Sequence, residues 1–120
     1  MSPNETERLR HMRDAASTAV SFAAGKSRED LSSDLMLQFA LVRALEIVGE
    51  AAARLTEETR SSHPEIPWAN IVGMRNRLVH GYFDVDLKVL WRTVTDYLPP
   101  LLVALDAMIP PKPPPSAPTP

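Results

Sequence analysis

Between Leu35 and Leu55 the apolar residues cover more than one face of a helix. They are Leu35, Met36, Leu37, Phe39, Leu41, Val42, Leu45, Ile47, Val48, Ala51, Ala52 and Leu55. A surface helix needs one apolar stripe to bury against its core. A helix that is apolar on two sides is covered on two sides, by the rest of its own bundle or by another subunit. In a chain of 120 residues there is little else to supply the second cover, so a homodimer is the expectation. A central helix within one bundle is the alternative. The long helix is read from a cap at Ser32 or Ser33, with Asp34 in its first turn, to about Arg60, where His63-Pro64 ends it.

The remaining segments repeat the helical spacing. Leu9, Met12, Ala16, Ala19, Val20 and Ala23 predict a first helix from about Glu5 to Ala24, stopped by Gly25. A third helix starts at Pro67, runs through Trp68, Ile71, Met74 and Leu78, and ends at Gly81. Asp84 or Asp86 caps a fourth, with Leu87, Leu90, Trp91, Val94 and Leu98 on its apolar face. Pro99-Pro100 kinks or splits that helix, and Leu101 to Ile109 continues it. No alternating strand pattern occurs. The predicted fold is an all-α bundle of four to five helices over residues 1–109. Residues 110–120 hold seven of the twelve prolines and one charge, and are read as a disordered tail.

Composition narrows the functional classes. The net charge of −2 argues against a broad nucleic-acid-coating face but leaves room for a small basic site. Without cysteine there is neither a disulfide framework nor a thiolate metal site, which fits a cytoplasmic protein. His11, His63 and His80 are too scattered to suggest a metal centre. Arg8, Arg10 and Arg13 precede AASTAVSFAAG in the manner of a signal peptide. Its apolar part is short, and Glu5, Glu7 and Asp14 spoil the basic region. No run reaches the roughly 18 apolar residues of a membrane span.

One segment concentrates chemically useful side chains: Arg75 to Tyr82, RNRLVHGY. Arg75 offers a permanently charged fork suited to phosphate. His80 titrates near neutrality and can move a proton. Asn76 can orient, Arg77 adds charge on another side of the helix, and Lys88 and Arg92 extend the basic character. Five positions on an ideal helix are roughly 140° and about 7.5 Å, so Arg75 and His80 do not share a face. A charged strip, Arg43, Glu46, Glu50 and Arg54, runs along the long helix at spacings that make its members neighbours. It is either a solvated face of ordinary ion pairs or a device in which Glu50, beside Gly49 and small alanines, orients a functional arginine. A purely structural helix end would pair Arg75 with Glu46 or Glu50.

The pattern Arg75-x4-His80-x-Tyr82 resembles the R-x4-6-H signature of the HEPN superfamily. LEIVGEAAARL, PEIPW, VGMRNRLVHGYF and DYLPPLL resemble its HepT-like branch over roughly Arg28 to Ile109. The resemblance implies the toxin of a type VII-like HepT–MntA toxin–antitoxin pair: a homodimeric, metal-independent ribonuclease that needs no cofactor. Arg75 and His80 would be catalytic, supported by Asn76, Glu50 and Arg77, at a cleft shared by two subunits. Tyr82 would accept AMP from a partner nucleotidyltransferase and so silence the site. Two other readings remain: a non-catalytic nucleotide- or RNA-binding partner of such a transferase, and a structural dimer whose charges only pair.

Overall fold

The computed structural model describes residues 2–78 and 84–111. Among these residues every regular element is a helix.

Helix α1, Pro3–Ala23, begins at Ser2, whose hydroxyl accepts from the Glu5 amide at 3.2 Å. It closes just before Gly25, the residue with φ +75°, a conformation that costs glycine no side-chain clash. Helix α2, Arg28–Ser33, was not anticipated. Ser27 and Asp30 make a reciprocal capping box that starts it, and its Leu31 is fully buried. Ser32 and Ser33 therefore lie inside α2, and Asp34 is the residue that caps the long helix, accepting from the Leu37 amide at 3.0 Å.

The long helix α3 spans Leu35–Ala53, shorter than expected. Thr56 caps a separate helix α4, Glu57–Ser61, with two acidic residues in its first turn. Helices α5, Trp68–Val72, and α6, Met74–Leu78, replace the single third helix, divided at Gly73. Pro67 occupies the cap position rather than the first turn. Trp68 is buried and its indole N–H donates to the carbonyls of Arg60 and His63, both at 3.0 Å, tying α5 to the end of α4.

Asp86 caps α7, Leu87–Arg92, accepting from Val89 at 3.1 Å. The rod continues as one π-helical stretch, Thr93–Tyr97, into α8, Leu98–Met108. The split expected at Pro99-Pro100 thus takes the form of a loosened turn just before the prolines. Proline lacks the amide that would bond four residues back, and its ring crowds that carbonyl. The Thr93 and Thr95 hydroxyls also bond back to the carbonyls of Val89 and Trp91, at 2.7 and 2.9 Å. The Leu98 amide donates to the Thr93 carbonyl five residues earlier.

Helix α1 packs mainly on α3 and also on α8. Leu9, Met12, Ala16 and Ala19 of α1 and Leu41, Leu45 and Val48 of α3 are essentially inaccessible. The alanines let these helices approach closely. Between them Glu5 closes the end of the bundle. It is 3% exposed and accepts from the Thr56 amide at 2.6 Å and from Arg8 at 3.1 Å. Burial by itself raises its pKa, but hydrogen bonds from the Thr56 amide, the Thr59 and Thr56 hydroxyls and Arg8 outweigh it and hold the carboxyl below its usual range. A lowered folded pKa stabilises the fold above the unfolded value and stops doing so as pH falls through the folded one. Glu5→Ala is expected to cost about 1.5–3 kcal/mol at neutral pH. In urea unfolding series, the gap to wild type should close on the acid side.

Among the described residues no helix is long and apolar enough to cross a membrane. The expected tail falls at residues 110–120, of which 112–120 lie outside the described residues.

Candidate active site

Helix α6 owes its position to a close approach between α3 and α5. A Cβ built at Gly49 would stand 3.2 Å from the Ile71 carbonyl oxygen and 3.7 Å from that of Val72. Only glycine lets the two backbones meet this tightly without displacement. Gly73 then turns the chain into α6, and buried Met74 and Leu78 anchor that helix in the core.

This anchoring leaves Arg75 at the surface beside α3. Its side chain is 60% exposed, and its Nε lies 3.5 Å from Glu46 Oε1. Glu46 is more sheltered, at 24% exposure, and its other oxygen lies 3.4 Å from Arg43. Arg43 in turn lies 3.5 Å from Glu50. The four groups form a chain, Arg75–Glu46–Arg43–Glu50, with two charges of each sign. At these distances and exposures the pairs add little stability. Glu46 engages the guanidinium through Nε, which leaves the terminal nitrogens of the fork out of this contact.

The carboxylate that meets Arg75 is therefore Glu46. Glu50, given the orienting role from the sequence, sits one turn further along α3 and holds Arg43. Spacing along α3 could not choose between them, because the choice depends on the rotation of α6, fixed by the Gly73 break. Asn76 is exposed, and its amide donates to the Gly73 carbonyl at 3.2 Å. Arg77 points elsewhere, donating to the Asn70 carbonyl at 2.7 Å. His80 and Tyr82, expected as base or acid and as modification site, lie outside the described residues. The chain on either side of them is joined: the Asp86 amide donates to the Leu78 carbonyl at 2.8 Å. Among the described residues no group of three or more His, Cys, Asp or Glu is placed to hold a metal ion.

The strip shares its face of α3 with apolar residues left uncovered. Phe39, Arg43, Glu46 and Glu50 recur at spacings of four, three and four, which is one helical stripe. Leu35, Met36 and Phe39 are 60%, 82% and 57% exposed. The opposite side, with Leu37, Leu41, Leu45 and Val48, is buried.

The family model for HepT-like ribonucleases matches residues 12–108. The chain belongs to the HepT-like ribonuclease family. With the family come the enzyme class and RNA as its class of substrate. A Thermococcus cleftensis protein named "Probable ribonuclease HepT" is 48% identical over 73 residues, 61% of this chain and 66% of that protein. A Caldanaerobacter subterraneus protein named as a "Putative RNase" is 39% identical over 93 residues, 78% of this chain and 83% of its own length. A third, from Methanocaldococcus jannaschii and named in the same way, is 34% identical over 72% of this HepT-like chain and 79% of its own. No solved structure gives a significant match.

Proposed function

We propose that this HepT-like chain is the toxin of a toxin–antitoxin pair: a homodimeric endoribonuclease that cuts RNA without a metal ion and is silenced by AMP on Tyr82. The observation that carries the reading is the position of Arg75. It stands against the one face of α3 that joins a charged strip to the uncovered residues Leu35, Met36 and Phe39. A two-fold contact over those residues buries an apolar patch of a kind monomers rarely leave open. It also brings two copies of the Arg75 segment to one cleft.

The chemistry follows from the residue types. The ribose 2′-oxygen attacks the adjacent phosphorus, its proton passes to a base, and the 5′-oxygen leaves with a proton from an acid. The products are a 2′,3′-cyclic phosphate and a 5′-hydroxyl. His80 serves as base or acid. Two copies in a dimer divide the tasks, since one imidazole cannot hold and lack the proton at once. Arg75 leaves Glu46 for the phosphate and stabilises the dianionic phosphorane. Asn76 orients the phosphate or the imidazole. Control is a second reaction: the Tyr82 oxygen attacks the α-phosphorus of ATP on an MntA-like nucleotidyltransferase, and pyrophosphate leaves. The attached AMP adds bulk and negative charge to the segment that carries Arg75.

Purified dimer should cleave RNA in EDTA, and His80→Ala should lose about 10²–10⁴-fold in rate, the usual contribution of a positioned acid–base group. Intact RNA in the presence of folded, unmodified wild-type protein overturns the reading. Coexpression with the transferase should add AMP to wild type and not to Tyr82→Phe, read by intact mass.

A further inference from the structure

A concave surface lies on the side of α6 away from Arg75. A cleft of about 640 Å³ opens between α5–α6 and the rod formed by α7, the π turn and α8. That volume suits a small ligand or one unit of a polymer. Asn70, Met74 and Arg77 contribute to one wall, and Arg92, Tyr97 and Leu98 to the other.

The polar groups of this cleft favour an anion. The Arg77 guanidinium is held by neutral acceptors, the Asn70 carbonyl at 2.7 Å and its side-chain oxygen at 3.5 Å. Its charge is thus aimed but not neutralised by these contacts. Arg92 brings a second guanidinium from the facing wall, and among the described residues Glu65 is the one carboxylate in the lining. The lining is net positive on a chain whose net charge is −2. Tyr97 is 60% exposed, an unusual state for an aromatic ring beside apolar walls, and it gives the cleft a flat stacking surface. It closes the π turn, a distortion that recurs at functional sites.

Two guanidiniums, an aromatic face and an apolar wall in one lining match the chemistry of a phosphate with an attached base. An apolar helix of a protein partner would leave the net positive charge of this lining uncompensated. We propose that this cleft holds a nucleotide of the RNA strand outside the scissile phosphate, with its phosphate between Arg77 and Arg92 and its base on Tyr97. The proposal rests on the ribonuclease reading and extends it. Arg75 and Arg77 lie on roughly opposite sides of a five-residue helix. A strand engaged at Arg75 reaches the cleft by crossing α6 once. The cleft then selects which RNA is cut, while Arg75 and His80 cut it.

The test separates the two claims. Affinity for a fluorescent 2′-O-methyl RNA decamer, which the 2′-hydroxyl chemistry cannot cleave, is measured by anisotropy for the whole protein. Tyr97→Ala should weaken it about 5- to 100-fold, the range for losing one base stack. Arg92→Ala should also weaken it and flatten its salt dependence, whereas Glu65→Gln should tighten it. Against cleavable RNA, both weakened variants should raise KM for a decamer and leave turnover of a dinucleotide unchanged. Wild-type affinity in Tyr97→Ala and Arg92→Ala, or no decamer binding by wild type, overturns the proposal. Tyr97-dependent binding by a protein that cleaves nothing supports the cleft and removes the nuclease instead.

Discussion

Arg75→Ala is expected to lower the rate of RNA cleavage by about 10²–10³-fold while the helical content stays that of wild type. The magnitude is that of removing one preorganised donor to a developing oxyanion. The fold survives because Arg75 is 60% exposed and its only ion pair among the described residues is the loose one to Glu46. Surface changes of this kind shift stability by about 0.5 kcal/mol or less. Arg75→Lys should recover part of the loss, since it restores the charge but not the planar fork. Glu46→Gln should cost only a few-fold, because an exposed pair orients the guanidinium without creating its charge. Arg75→Ala with wild-type turnover would remove the residue from the reaction.

The second large effect concerns α3 and its two sides. Leu41→Ala should destabilise the protein by about 2–5 kcal/mol, the cost of a cavity in a core that cannot collapse around it. Leu41 is fully buried against the rest of its own chain. Phe39 lies two residues earlier and is 57% exposed. Phe39→Asp should cost the isolated chain far less, and should convert the proposed dimer to monomer in sedimentation. A Phe39→Asp protein that stays dimeric would place the subunit contact elsewhere. A Leu41→Ala protein as stable as wild type would contradict the packing of α3 on α1.

The same two-sidedness was legible in the sequence, because apolar residues at Leu35, Met36 and Phe39 cannot be buried by a helix whose core stripe runs through Leu37, Leu41 and Leu45. The Gly25 stop was legible for a local reason, a positive φ, and the cap of α7 as Asp84 or Asp86, of which the structure uses Asp86. The breaks were harder. Ser27 to Asp30 and Thr56 to Thr59 carry capping spacings that start new helices, but the apolar periodicity around them reads as continuous or as loop. Gly73 divides the third helix within a run whose spacing stays helical on both sides. The site suffered most from that break. The segment Arg75 to Tyr82 was singled out by its residue types and spacing, and only its first part, through Leu78, falls within the described residues. The carboxylate facing Arg75 was narrowed only to Glu46 or Glu50, which are equivalent on α3 until α6 is placed. The cleft at Arg77 and Arg92 was invisible for the same reason, although both arginines had been marked as extra charge.

The reaction itself is tested most directly by the ends it leaves. A defined RNA is incubated with unmodified wild-type protein in EDTA, and the fragments are weighed by mass spectrometry. The expected result is cleavage to 2′,3′-cyclic phosphate and 5′-hydroxyl ends, absent when the nucleotide 5′ to the cut carries a 2′-O-methyl group. Cleavage that persists at a 2′-O-methyl site, 5′-phosphate products, or activity that appears only when a divalent metal is restored would contradict it.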